Sequence, residues 1–472
     1  MVERRTVAPD VAGSIPVTHP TFFRFNFIGF AHACLAAGVT LALPGCIEPA
    51  GSPFEASPQE TTSSANEQTP AAERFTTPAG TGGTNSEATL DKPYLILISF
   101  DGFRHDYLDR FDTPNFDRVA AAGARAERLV PPFPSLTFPA HYTVATGLYP
   151  ERHGLVGNRF FDPIRGEDYN YRNRRNVEDG SWYGGEPIWV TSETQGMVSA
   201  AMLFVGTEAD VGGVRPTFWT PYGDRGSQRE RVDQVLEWLA LPAETRPHLL
   251  TLYFSAVDGA GHRSGPASRA VEDAVGQVDQ ALGRLLNGLD ALPHGDQVSL
   301  VLVADHGMTA VDPALVVNLT DHADLSGVRV VVTGPQANLF VDGPAARAVA
   351  IRDDLNESLA AGRAYLRDEV PETLRYGLDP RIGDVVVVPE SGAMLSMREL
   401  DDPPAGMHGY DPTHEDMAGI LLMAGPDIVP GSRLGRVESV HVYPLMAHLL
   451  RLAPNPDIDG ELREVASVLV GR

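Results

Sequence analysis

From Ile47 to Arg472 the chain contains no cysteine, and its only two, Cys34 and Cys46, lie close to the N-terminus. The body therefore has no disulfide, no thiolate ligand and no cysteine nucleophile. Any metal site in it must be built from histidine and carboxylate. Basic residues are also scarce: 37 Lys and Arg stand against 62 Asp and Glu, a net charge of −25. That balance excludes a nucleic-acid polymer as partner, because its phosphates are held by the opposite sign. A small anion is not excluded, since bound cations reverse the field locally. No internal repeat at solenoid spacing occurs. What is there is an ordinary globular composition, 43% hydrophobic and 21% charged. The length of 472 residues suits two or three domains, or one large α/β unit.

One long apolar run stands out at residues 26–45, behind Arg4, Arg5 and Arg24 and ending at Cys46. A basic flank, an apolar core and a small-residue end describe an export signal. Leu43-Pro44-Gly45-Cys46 resembles a bacterial lipobox, whose cysteine is lipidated and becomes the new N-terminus. Residues 1–46 are thus expected to be a leader. The protein is expected in the bacterial cell envelope, held to the membrane by lipid on Cys46 or by the apolar run itself, which is just long enough to span a bilayer; a plain cleaved signal peptide is the alternative. Residues 47–90 are rich in Ser, Thr, Ala, Gly, Pro and Glu. Such a segment cannot bury enough surface to offset its chain entropy, and reads as a disordered tether.

The body is expected to start near Lys92. Tyr94 to Phe100 is a continuous apolar run, the pattern of a parallel strand buried on both faces; it ends at Asp101-Gly102. Leu249 to Ser255 repeats the pattern and runs into Asp258 and His262. Val298 to Val303 repeats it again before Asp305-His306-Gly307. Helical periods lie between: Thr113 to Ala122 with Thr113 as N-cap and Pro114 at the first position, Gln228 to Leu239, and Ala267 to Leu289. Strand–helix alternation predicts an α/β fold, a mostly parallel central sheet with helices on both faces. Residues 314–406 are mixed and read as an inserted smaller subdomain. Met417 to Met423 is expected to return to the sheet as a strand, and Glu438 to Arg451 to close the chain as a helix, within a catalytic domain spanning residues 91–470.

The chemistry converges on Phe133-Pro134-Ser135-Leu136-Thr137-Phe138-Pro139-Ala140-His141. It offers two hydroxyls, Ser135 and Thr137, and neither is a nucleophile at neutral pH unless a base or a metal lowers its pKa. Metal-ligand types are present elsewhere: Asp101, Asp258 with His262, Asp305 with His306, and a late histidine. Three of the carboxylates follow buried strands, and so share the sheet edge where open α/β folds place ligands. Each alone is weak, since a strand-end Asp is more often a turn residue. The joint order is the stronger signal.

Four stretches carry a family resemblance: Ile98-Ser99-Phe100-Asp101-Gly102-Phe103-Arg104, Phe133 to Pro139, Asp305-His306-Gly307-Met308 and His408-Gly409-Tyr410-Asp411. Together they resemble the nucleotide pyrophosphatase/phosphodiesterase family of the alkaline phosphatase superfamily, from about Lys92 to Leu452. The resemblance implies an alkaline phosphatase-like fold and two Zn²⁺ ions. Asp258, His262 and His408 would hold one; Asp101, Asp305, His306 and Thr137 the other. It implies Thr137 as nucleophile, rather than Ser135, and a threonyl-phosphate intermediate. Asn158 would donate to a phosphate oxygen. Phe138 and Tyr253 would stack on the substrate's base, with Tyr222 as a third aromatic. His414 is expected at the surface. Phe204-Val205-Gly206 stands where the family often has Trp-Pro-Gly. The implied substrates are nucleotides or small phosphodiesters. The alternatives are a phosphomonoesterase, a phosphonate hydrolase or a lysophospholipid phosphodiesterase on the same metals, and, in another class, a non-catalytic lipid-anchored surface protein.

Overall fold

The computed structural model describes residues 83–224 and 226–471. The expected leader with Cys46, and the tether up to residue 82, lie outside the described residues. Within residues 83–90, expected as part of the tether, Asn85 and Thr89 are tied to the body. The Asn85 amide donates to the carbonyls of Ala243 and Arg246 at 2.9 and 2.7 Å and accepts from Val198 N at 2.8 Å; Thr89 is buried. No helix among the described residues is long and apolar enough to cross a membrane.

The central sheet has eight strands: β1 Tyr94–Phe100, β2 Ala124–Val130, β3 Ser199–Met202, β4 Phe218–Trp219, β5 Leu249–Phe254, β6 Val298–Val303, β7 Leu421–Ala424 and β8 Ser432–Glu438. Their spatial order is β8-β2-β7-β6-β1-β5-β3-β4. Every pair is parallel except those of β7, which runs antiparallel to β2 and β6. All residues of β1, β5 and β6 are buried. Their side chains alternate between two cores, as the strand period demands. Leu95, Leu97, Leu249, Val301 and Val303 face one core, with Tyr142, Trp189 and Leu445. Ile96, Ile98, Phe100, Leu250, Leu252 and Leu302 face the other, with Phe116, Val235, Val275 and Leu282. Helices therefore cover both faces: Thr137–Thr146, Ile188–Thr194 and Val442–Leu449 on one, Pro114–Ala122, Gln228–Leu239 and Arg269–Asp290 on the other.

Three expectations change in detail. The strand expected from Met417 to Met423 is Leu421–Ala424, Met417 closing a short 3₁₀ turn instead. The residues from Glu438 to Arg451 are not one helix: Glu438 ends β8, and the helix proper is Val442–Leu449. Thr113 does not cap the helix it precedes. The Asp279 carboxylate does so instead, accepting from Asn115 N and Phe116 N at 2.9 and 3.2 Å. Within residues 314–406 an antiparallel sheet of four strands, with Val328–Val332 at one edge and Gly362–Leu366 at the other, packs on the Ala345–Ser358 helix around its own core of Leu339, Ile351, Leu355 and Val387.

Candidate metal centre

β1, β5 and β6 lie side by side at the middle of the sheet, so their carboxyl ends bring Asp101, Asp258 and Asp305 to one place. Gly102 makes the approach possible. Its φ is +69°, and a Cβ there would lie 2.8 Å from Asp258 Cα, closer than any side chain allows. Asp258 N in turn donates to the Asp101 carbonyl at 3.0 Å. Asp258 and His262 stand one turn apart on the Ala256–Ser264 helix, hence on one face, with Nε2 3.2 Å from Oδ1. His408 follows the short strand Gly406–Met407 and brings its Nε2 to 3.5 Å from the same oxygen. Asp258, His262 and His408 thus offer three ligand atoms within 4.8 Å of one another.

Asp101, Asp258 and His306 form a second such group. Asp258 is common to both groups, and Asp305 adjoins the second. Asp305 Oδ1 accepts from Gly102 N at 3.1 Å, and Oδ2 lies 3.0 Å from His306 Nε2. The two rings His306 and His408 stack at 3.4 Å and join the groups into one cluster.

The three histidines share one trait. Each Nδ1 faces a backbone carbonyl: His262 that of Gly406 at 2.8 Å, His306 that of Gly307 at 2.9 Å, and His408 that of Ser135 at 2.9 Å. A carbonyl only accepts, so Nδ1 carries the hydrogen and the Nε2 lone pair is aimed into the cluster, the arrangement of metal-binding imidazoles. The carboxylates tell the same story. Asp101 Oδ1, Asp258 Oδ1 and Asp305 Oδ2 are buried without a hydrogen bond, although imidazole nitrogens lie 3.0–3.3 Å away. Donor atoms that crowd together without alignment converge on a common point, and this donor set of hard oxygens and imidazole nitrogens fits divalent cations of the Zn²⁺ type.

The electrostatics show how poorly the cluster satisfies itself. Burial raises the Asp101 carboxyl well above its usual range, and the Asp305 and Asp258 carboxylates push it further. Burial also acts to raise Asp258 and Asp305, but imidazoles outweigh it and hold both well below that range: His262 for Asp258, and His306 with His141 for Asp305. Burial lowers His262 and His306, and here Asp258 and Asp305 prevail and raise them. Burial and the neighbouring His306 push His408 down to about 3. Three carboxylates crowded into one site repel one another, and added positive charge relieves that.

The two hydroxyls part company here. Ser135 is fully buried; its Oγ donates to the Tyr410 carbonyl at 2.8 Å and accepts from Gly409 N at 3.1 Å. Thr137 opens the Thr137–Thr146 helix, is half-buried, and puts Oγ1 3.3 Å from His306 Nε2. Asn158 Oδ1 accepts from Phe138 N at 2.9 Å. That bond assigns the amide's orientation, and its NH₂ is the group left to donate. Phe138 is half-buried and tilts against Tyr171 at 5.5 Å. Tyr253 exposes 8% of its surface, and its hydroxyl donates to Asp101 Oδ2; it is bound to the cluster as well as near it. Tyr222 is exposed, its backbone N–H held by Glu208 at 3.2 Å. His414 is exposed. Arg104 is braced rather than a free surface residue: Asp106, Asp416 and the Met308 carbonyl take its guanidinium. His141 and Ser99, both buried, escaped the sequence reading. A serine inside an otherwise apolar strand was the available signal.

Parallel sheet and acid–imidazole cluster together define the class, an α/β protein of the alkaline phosphatase type. The profile of the type I phosphodiesterase / nucleotide pyrophosphatase family matches residues 95–411. An uncharacterised pyrophosphatase/phosphodiesterase of Schizosaccharomyces pombe is 33% identical over 390 residues, 80% of either chain. Mouse ectonucleotide pyrophosphatase/phosphodiesterase family member 1 is 32% identical over 78% of this chain and 42% of its own length. This chain thus spans less than half of that animal relative. The structure of human ectonucleotide pyrophosphatase/phosphodiesterase 5 superposes with a TM-score of 0.76 at 29% identity, over 80% of this chain and 100% of that one. This chain belongs to the nucleotide pyrophosphatase/phosphodiesterase family.

Proposed function

We propose that this protein is a metal-dependent phosphodiesterase and nucleotide pyrophosphatase that works through an ester on Thr137 beside two Zn²⁺ ions. The observation that carries the reading is the pairing of Thr137 Oγ1 with His306, inside a cluster whose three imidazoles all present Nε2. A related structure supports it: that of murine family member 5 was solved as an inactive threonine-to-alanine variant with AMP. Asp258, His262 and His408 would hold one cation, and Asp101, Asp305, His306 and Thr137 the other. When bound, the cations lower the hydroxyl pKa of Thr137 and neutralise charge on the phosphoryl and leaving oxygens.

This chain's residues supply the rest. Thr137 stands at the N-terminus of a ten-residue helix, whose dipole favours negative charge there. Its hydroxyl gives up its proton to solvent, and the oxygen bonds to phosphorus as the bond to the leaving oxygen breaks. The NH₂ of Asn158 donates to a non-bridging oxygen as charge gathers on it. Water then attacks phosphorus, the Thr137 ester breaks, and the hydroxyl is restored. Two displacements retain configuration at phosphorus. A nucleoside triphosphate gives a nucleoside monophosphate and pyrophosphate. Phe138 and Tyr253, with Tyr222 at the rim, are the aromatic surfaces for a base.

A diester is favoured over a monoester because a monoester brings one more charge. Arg104, the arginine nearest Asp101 in sequence, is already held by Asp106 and Asp416. Turnover of p-nitrophenyl thymidine monophosphate and of p-nitrophenyl phosphate, measured side by side, is expected to favour the diester strongly. A monoester preference would overturn the assignment.

A further inference from the structure

The reaction above makes no use of His141, a buried imidazole beside the cluster. His141 is 1% exposed and lies one helical turn beyond Thr137. Its Nδ1 is 2.9 Å from the Thr137 carbonyl oxygen, along a hydrogen-bond line, and 3.1 Å from Asp305 Oδ2, off that line. A carbonyl only accepts, so Nδ1 carries the hydrogen. Nε2 is then an acceptor, and the Ser99 hydroxyl, 2.7 Å away, donates to it. Ser99 is fully buried in the central strand β1. The rings of Phe204 and Tyr253 stand edge-on to the imidazole at 5.0 and 5.4 Å. Tautomer and ring plane are both fixed.

A histidine that only filled the core would need a hydrogen-bond partner, but not these. The single Nδ1–H is directed to the carbonyl of Thr137 and abuts the carboxylate of Asp305. Gly102 N holds the other oxygen of Asp305 at 3.1 Å. Asp305 Oδ2 still lacks an aligned hydrogen bond, so its lone pairs stay available to a cation. We propose that His141 is a positioning residue, locked by Ser99, that ties the first turn of the Thr137 helix to Asp305 and so fixes the hydroxyl and the carboxylate relative to one another. The inference rests on the two-cation reading above.

The test uses the full chain as wild type, His141→Ala, His141→Asn and Ser99→Ala. Zinc retention is measured by chelator competition, beside kcat and KM for a nucleotide diester. His141→Ala is expected to weaken zinc retention and lower kcat by about 10–100-fold, the loss typical of an outer partner of a metal ligand, with KM unchanged. His141→Asn, which keeps an N–H near Nδ1, is expected to restore most of the zinc retention. Ser99→Ala removes one hydrogen bond and is expected to weaken retention about five-fold; it serves as the test if His141→Ala fails to fold. Wild-type zinc retention and kcat in the folded variants, even with lowered stability, would mean mere packing and overturn the proposal. A wild-type protein that binds no zinc, or a Thr137→Ala variant with full turnover, would overturn the two-cation reading and this inference with it.

Discussion

Ser135 and Thr137 sit two positions apart and carry the same chemical group, yet residues some 270 positions away decide between them. Tyr410 and Gly409 occupy both sides of the Ser135 hydroxyl, and His408 takes the Ser135 carbonyl. Ser135 thereby braces the His408 ring, and its own hydroxyl is fully engaged. The sequence shows both hydroxyls and cannot show which one is engaged. The strand-end aspartates were easier, because a polar residue closing an apolar run has few places to go. His141 was harder, since its partners are a backbone carbonyl and a serine that looks like strand filler. His153 is another histidine whose role only packing reveals. It accepts from Leu155 N at 3.2 Å and meets the Thr143 hydroxyl at 3.0 Å. Burial pushes its imidazole down to about 3, whereas an unfolded histidine titrates near about 6.5. The unfolded chain therefore binds a proton that the folded one refuses. The stability at stake is intact above that unfolded value and is lost as pH falls toward the folded one, at up to about 1.4 kcal/mol per pH unit. Urea unfolding at pH 7 and pH 5 should show wild type losing about 2 kcal/mol more than His153→Gln over that interval. Equal losses would show that His153 is not held neutral.

Elements with a strong period stand where the sequence predicts them. Tyr94–Phe100, Val298–Val303 and Gln228–Leu239 run between the expected residues. The elements that escaped have weak signals for physical reasons. β2 is half-exposed and carries Arg125, Glu127 and Arg128; β3 is made of small residues around one methionine; β4 has two residues. Pairing, rather than propensity, makes these strands. The Pro114–Ala122 helix shows the same limit at its start. Its cap comes from Asp279, on another helix, whose Oδ2 also accepts from the Asn115 amide at 2.7 Å. Asp279→Ala removes these bonds and leaves buried donors without partners. It is expected to cost about 2 kcal/mol, read as a lower urea midpoint, with turnover per folded molecule unchanged. An unchanged midpoint would mean that the helix needs no cap there.

Across the whole molecule, the sheet does the assembling. Residues from Asp101 to His408 reach one cluster because three adjacent parallel strands end there and the segment after Gly406–Met407 brings His408 to them. The order of strand-end acids made this edge legible in the sequence. The sharing of Asp258 between two ligand groups was not, because it depends on how a helix leaves β5. Net charge bears on the substrate too. At −25 the protein as a whole repels a nucleotide, and screening weakens that repulsion beyond about 10 Å at moderate salt. Attraction must then come from within the site, where two cations would stand among the carboxylates of Asp101, Asp258 and Asp305. In the function proposed, this assembled cluster turns Thr137 into the nucleophile. The direct test is acid-quenched turnover of a nucleotide diester by the zinc-loaded protein, followed by peptide mass spectrometry. The expected result is a nucleotidyl ester on Thr137 that forms and decays with turnover, absent in a Thr137→Ala variant that is inactive. An ester on Ser135, or full turnover by Thr137→Ala, would contradict it.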